Sequence, residues 1–384
     1  MRFETRYAEL LHRAAEFPDA PDPLRAELAV SGLLGSAWSL AASGEHQALR
    51  EGLVAFLSER PGRPALALLR IAATMGSPAE RAVAGQAADT LAATGVAEPA
   101  WTTPPGQVRA GRCWVYGDVF GDQESVVTTF HHTGPTRPAP ATRTGETGMG
   151  DRSSQDAKPA IQPEPANPHA LVVLVDHNLG GIIKDIFCTA HADRTLRAIA
   201  RANAADGPMS VLEPITAGQA RTRLERAFAA CRAAWEPPVG DNARALWALA
   251  TSRLAALPEG PPPTSPDRYD AAARAAIVQE FLTAPQARTL SDRDASAACA
   301  RLIVDHGCDY DGGNPLRISP AKTELFLLYW LPRQPELTSE QTAAMPAVAE
   351  AWVRWVASGQ RLSGQPLTEV VAAVRECGAR FLAR

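Results

Sequence analysis

The chain has 384 residues, 46% hydrophobic and 21% charged, with a formal net charge of −4. That is ample core-forming material for two domains, or for one domain with a large insertion, and the acidic balance leaves no global basic field to attract nucleic acid. The six cysteines are scattered without a CxxC pair or a zinc-spaced Cys/His cluster, which fits buried thiols in a reducing compartment better than a disulfide framework.

The N-terminal run Met1-Arg2-Phe3-Glu4-Thr5-Arg6 lacks the apolar region of a secretory signal. The longest strongly apolar stretch, Leu325 to Leu331, is too short to span a bilayer. The chain therefore reads as cytoplasmic, with no membrane partner. Residues 1–100 carry repeated helix punctuation: Asp22-Pro23 and Ser77-Pro78 each place a capping side chain before a proline. Ser77-Pro78-Ala79-Glu80 also fits the capping box. Leu49, Leu53, Phe56 and Leu57 share one helical face, and Leu66, Leu68, Leu69 and Ile71 a wider one. This region reads as antiparallel helical hairpins in a HEAT-like style, or as an irregular bundle, since no fixed period aligns.

After Trp101 the texture changes to strand material, and residues 101–190 read as a small β unit. Glu124 to His132 is rich in β-branched and aromatic residues, and Ala170 to Val175 is a continuous apolar run. Between them, residues 134–168 hold seven prolines and four glycines in 35 positions and no Leu, Val, Phe, Trp or Tyr. Such a composition predicts a disordered Pro/Gly-rich insertion, and if the flanking strands pair it is an overgrown hairpin loop inside one unit. His131 and His132, at its edge, read as exposed.

Helical signals return from about Ala192, and residues 191–384 read as a helical domain. A capping box at Thr216-Ala217-Gly218-Gln219 and starts at Ser265-Pro266, Ser291 and Ser319-Pro320 punctuate it. Leu325, Phe326, Leu328 and Tyr329 are too apolar all round for a surface helix and predict a buried one. Trp352 and Trp355 share a face with Val348 and Val356 on the next helix. The expected fold is thus mainly α (α+β), with helical N-terminal and C-terminal regions flanking the interrupted β unit.

Three clusters are candidate sites. In the first, the apolar strand breaks into Asp176-His177-Asn178-Leu179-Gly180-Gly181, at the carboxyl end where open sheets commonly hold ligands. Asp176, His177 and Lys184, one of three lysines in an arginine-rich chain, are candidate catalytic groups. If Ile182 to Phe187 forms a helix, Gly180 and Gly181 precede an anion-binding N-terminus; a third strand suits the same spacing nearly as well. The second cluster, Tyr116 to Glu124, brings Asp118 or Asp122 towards Asp176 and His177, a donor set suited to a divalent metal that activates water. The third, Asp305 to Asn314, has Asp, His and Cys side by side and part of a calcium-loop pattern without its spacing or terminal Glu. Each cluster has a plain alternative as a side-chain-bonded turn.

No P-loop, dinucleotide fingerprint, nucleophile elbow, HExxH or kinase signature occurs. The leading expectation is a helical interaction or regulatory protein that binds another protein. The first alternative is a metal-dependent hydrolase of phosphate-ester type, using Asp176 and His177 with Asp118 or Asp122 and taking a divalent metal as its cofactor. The second is a nucleic-acid-binding protein, which needs an arginine-lined face that the net charge does not support.

Overall fold

The computed structural model describes residues 3–36, 43–101, 103–133, 168–234, 236–262, 269–334 and 337–384. Among the described residues the N-terminal region contains five α-helices: α1 (Glu4–Arg13), α2 (Leu24–Gly35), α3 (Ser43–Ser58), α4 (Arg63–Ala72) and α5 (Pro78–Ala93). Their facing apolar positions close one core, in which Leu49, Leu53, Leu66, Leu68 and Ile71 are essentially inaccessible. The Ser77 hydroxyl accepts the Glu80 N–H and the Glu80 carboxylate accepts the Ser77 N–H, the reciprocal arrangement that the spacing predicts. The Asp22 carboxylate accepts the Leu24 N–H at 3.0 Å, and the helix opens at Leu24, one residue after the start that Asp22-Pro23 predicts.

Four strands follow, β1 (Val108–Asp118), β2 (Gln123–His132), β3 (His169–Asp176) and β4 (Ile182–Thr189), then α6 (Ala192–Asp206), β5 (Ser210–Ile215), α7 (Ala217–Ala233) and α8 (Asp241–Ala255). They form one antiparallel sheet in the order β4-β3-β2-β1-β5. Phe130 pairs with His169, so β2 and β3 are hairpin partners and the chain between them leaves and re-enters at the same end of the sheet. The predicted disordered insertion lies outside the described residues apart from Pro168, as do the Ser265-Pro266 helix start and residues 263–268 around it.

Two strands depart from the sequence reading. β1 was masked by Gly111, Gly117 and its arginines, and β5 lies inside the stretch read as helical, its Pro214 tolerated because β5 is an edge strand. Ile182 to Thr189 is a strand rather than a helix. Along β3, Leu171, Val173 and Val175 face a core closed by Leu224, Phe228 and Cys231 of α7 and Ala243 and Ala250 of α8, while Val172 and Leu174 are half-buried on the other face. The Cys231 thiol accepts the Ile183 N–H at 3.1 Å, a structural use of a cysteine.

The remaining helices, α9 (Ala271–Thr283), α10 (Arg293–Asp309), α11 (Pro320–Glu324), α12 (Ser339–Gln360) and α13 (Gln365–Leu382), enclose a separate core containing Phe281, Leu327, Val348 and Trp352. Helix α10 is capped by Asp292 rather than Ser291. Helix α11 runs into a π-helical turn, Leu325–Trp330. That turn corrects the expectation of a wholly buried helix: Phe326, Leu327 and Leu328 are buried, but the wider coil turns Leu325 and Tyr329 outward. Among the described residues no helix is long and apolar enough to cross a membrane.

At one end of the sheet a buried ion cluster joins it to the N-terminal helices. Arg253 of α8 donates to both oxygens of Glu27 on α2 and, through Nε, to His169 Nε2 at 2.9 Å. Glu27 also accepts the Gly106 N–H at 2.9 Å and lies 3.3 Å from His132 Nε2. His131 is 5% exposed and His132 pairs with Glu27, so neither is the solvent-facing residue that its place beside the insertion suggested. The N-terminal helices cover that end of β2. Burial works to raise the Glu27 carboxyl, yet Arg253 and His132 bring it to about 2. Burial and the facing guanidinium hold His169 at about 2, a neutral ring that accepts from Arg253.

Candidate functional site at the junction of the sheet and the C-terminal helices

The three clusters singled out in the sequence meet at the opposite end of the sheet. The β1–β2 turn supplies Gly121 and Asp122, the turn after β3 supplies His177 to Gly181, and the loop after α10 supplies Asp311 to Arg317. Arg317 gathers them. Its Nε donates to Asp311 at 3.0 Å, one terminal nitrogen reaches Asp122 and the Gly121 carbonyl, and the other donates to Asn178 Oδ1 at 2.9 Å as well as to Asp311. Lys322 of α11 completes the network, with Nζ 2.6 Å from Asp311 and 3.0 Å from the Asn314 carbonyl.

Electrostatics keep this cluster charged but balanced, two cations against Asp122 and Asp311. Burial works against the Arg317 charge, but the Asp311 and Asp122 carboxylates hold its pKa above the ordinary value. Burial pushes Asp122 up despite Arg317 and Ser319. Burial holds Lys322 down at about 8 against the attraction of Asp311, and burial beside Lys322 lowers His306 to about 4. A half-satisfied cluster of this kind would be costly, and the bidentate geometry of arginine is what lets one side chain serve several acceptors.

Each sequence-predicted residue has a definite employment. Asp118 accepts the N–H groups of Phe120, Asp122 and Gln123 at 2.9, 3.0 and 2.7 Å, so its carboxylate shapes the β1–β2 turn. Asp176 accepts from Gln123 Nε2 at 2.9 Å, from the Asn178 N–H at 3.0 Å and from Lys184 Nζ at 3.4 Å. His177 Nε2 lies 3.4 Å from Glu124, whose other oxygen meets Arg223 at 3.1 Å; burial alone would raise Glu124, but these two partners lower it. The carboxylates of Asp118, Asp122 and Asp176 thus turn to three different sets of donors. Among the described residues no group of three or more His, Cys, Asp or Glu side chains is arranged to hold a metal ion.

Gly180 and Gly181 have φ of 83° and 76° and make the turn between β3 and β4. Their N–H groups bond the carbonyls of His177 and Asp176, and a strand follows, so the backbone donors expected for an anion are engaged. An added Cβ at Gly180 meets no atom within 4 Å. Gly180→Ala should therefore destabilise the fold by about 1–2 kcal/mol through φ alone, with Gly180→Asn costing clearly less. Thermal denaturation of the two variants decides this, and equal losses would place the cost elsewhere.

Arg317 divides the junction into two recesses. One, of ≈ 350 Å³, is polar and lined by Glu124, His177, Gly181, Arg223, Arg226 and Gln360 among others; Arg226 donates to the Gly312 carbonyl at 2.9 Å. The other, a groove of ≈ 270 Å³, is lined by the polar Asn178, Asp311, Arg317, Lys322 and Arg333 together with Tyr310, Leu325, Tyr329, Trp330 and His306. The His306, Phe326 and Tyr310 rings all contact Trp330, at centroid separations of 5.1, 5.6 and 5.5 Å. Sequence reasoning reached His306 and Tyr310 as members of the third cluster but missed Arg317, Arg333, Tyr329 and Trp330 as site residues. The signal that was present is the one unusual lysine of this stretch, Lys322, just after a capped helix start.

No protein-family model matches the chain, and no curated protein and no solved structure resembles it.

Proposed function

We propose that this chain is a non-catalytic interaction module that binds another protein, and that the partner docks in the groove lined by Tyr310, Leu325, Tyr329 and Trp330. One observation carries the reading. Of seven large apolar residues that are exposed among the described ones, Tyr310, Leu325 and Tyr329 line this single groove, at 63%, 37% and 49% exposure. Scattered apolar residues on a surface are ordinary; three converging on one concavity beside buried cations favour a recognition site.

A photo-crosslinking side chain placed at position 329 should trap a discrete adduct in the native host, and Leu325→Asp should abolish that adduct without lowering the melting temperature. The same side chain at exposed Leu382, outside the groove, should trap none. Identical adducts from positions 329 and 382, or no adduct from 329, would refute the reading.

A further inference from the structure

We propose that the segment recognised by this groove is acidic and carries an aromatic side chain, its ring against Tyr310 and Tyr329 and its carboxylates towards Arg333. This rests on the groove being the docking surface, and it draws on separate observations. The first is charge. Arg317, Lys322 and Arg333 line the groove with a single carboxylate, Asp311, and Asp311 is shared between Arg317 and Lys322. Arg317 is further neutralised by Asp122, so among the described residues Arg333 is the cation of the groove that no carboxylate faces. Among the described residues Arg333 has no carboxylate partner and donates instead to the Tyr329 carbonyl. Its side chain is exposed at the rim, where it is free to meet an incoming anion.

The second observation is unmet hydrogen-bonding capacity in the lining of the same groove. Trp330 Nε1 and His306 Nδ1 are buried and have no hydrogen-bond partner. Buried polar atoms are nearly always satisfied, so two orphans in side chains lining one groove are unusual, and an indole N–H can only donate. The indole N–H calls for an acceptor, which the carboxylates of an acidic segment supply in addition to its backbone carbonyls, whereas the imidazole nitrogen takes either role according to its tautomer. The third observation is the π-helical turn Leu325–Trp330, a rare coil that places Leu325, Tyr329 and Trp330 around the groove together. Such turns concentrate at functional sites because an ordinary α-helix is the more stable way to cross the same distance. Tyr329 and Tyr310 offer faces for ring-on-ring contact, and Arg333 can pair with a carboxylate in two-pronged fashion.

The test uses the full-length protein and three synthetic octapeptides, each with a central phenylalanine, flanked by glutamates, glutamines or lysines, observed by ligand NMR line broadening. The glutamate peptide should bind, the glutamine peptide weakly and the lysine peptide not at all. Arg333→Glu should weaken the glutamate peptide about tenfold, and raising salt from about 50 mM to about 300 mM should weaken it several-fold. Equal binding of all three peptides, unchanged by Arg333→Glu but lost in Tyr310→Ala/Tyr329→Ala, would overturn the acidic assignment while leaving the groove as a docking surface. Binding undiminished in the double tyrosine variant, or no binding of any peptide, would remove both.

Discussion

Arg253→Leu is expected to destabilise the protein by about 3–5 kcal/mol, because it strands the Glu27 carboxylate in a fully buried position. With Arg253 gone, Glu27 keeps only the Gly106 N–H and the His132 ring, and His169 loses its donor. Replacing both partners, Glu27→Leu with Arg253→Met, should recover most of the loss, since a buried ion pair is often no better than an apolar pair of similar volume. Urea denaturation reads both. A loss below about 1 kcal/mol for the single variant would mean that water reaches the cluster.

The same cluster sets the acid response. Glu27 has a folded pKa of about 2 against an ordinary 4.5, so its contribution is complete above pH 4.5 and is lost as pH falls towards 2. His169, held at about 2 against 6.5, works in the same direction: below pH 6.5 the unfolded chain takes up a proton that the folded chain refuses. Stability should therefore decline steadily from pH 6.5 downward. For Glu27 alone the effect is on the order of 3 kcal/mol. In Arg253→Leu the decline between pH 4.5 and 2 should flatten, because the carboxylate is no longer held ionised.

Arg317→Ala is expected to cost about 3–5 kcal/mol by the same physics, leaving the half-buried Asp122 and part of the buried Asp311 without their guanidinium. Its signature differs in place. Hydrogen exchange should rise selectively at residues 176–181 and 311–319, the two turns that Arg317 bridges through Asn178 and Asp311, while the Glu27 end of the sheet stays protected. Arg317→Lys should not rescue it, since a single ammonium cannot reach Asp122, Asn178 and Asp311 together. A uniform rise across the chain would show that Arg317 supports global stability and not the junction.

What the sequence disclosed and what it hid follow from the range of the forces involved. The capping boxes at Ser77 and Thr216 were legible because each closes within four residues, while a third, at Thr338, passed unread. The β2 and β3 strands were legible from composition, and the Asp176 cluster stands where β3 ends, whereas the other two clusters run partly inside β1, β2 and α10. Nothing local, however, marks Arg317: it is one arginine among many, and its partner Asp122 lies 195 residues away. Tyr329 was read as core because apolarity predicts burial only when the coil is α-helical, and the π turn breaks that link. β5 was hidden by its brevity and its proline.

The two ion clusters have a joint effect on β3. Its central run, Leu171-Val172-Val173-Leu174-Val175, shifted by two residues still sets one branched aliphatic side chain where another stood, on the same face. Packing alone therefore distinguishes such slipped alignments poorly, whereas a one-residue slip inverts the strand and is rejected outright. His169 at one end, locked to Arg253, and Asp176 at the other, locked to Gln123 with Asn178 just beyond it on Arg317, index the strand like the end marks on a ruler. A slip of two residues would move both marks by about 6–7 Å and break both clusters at once, so the polar ends supply the uniqueness that the apolar middle lacks.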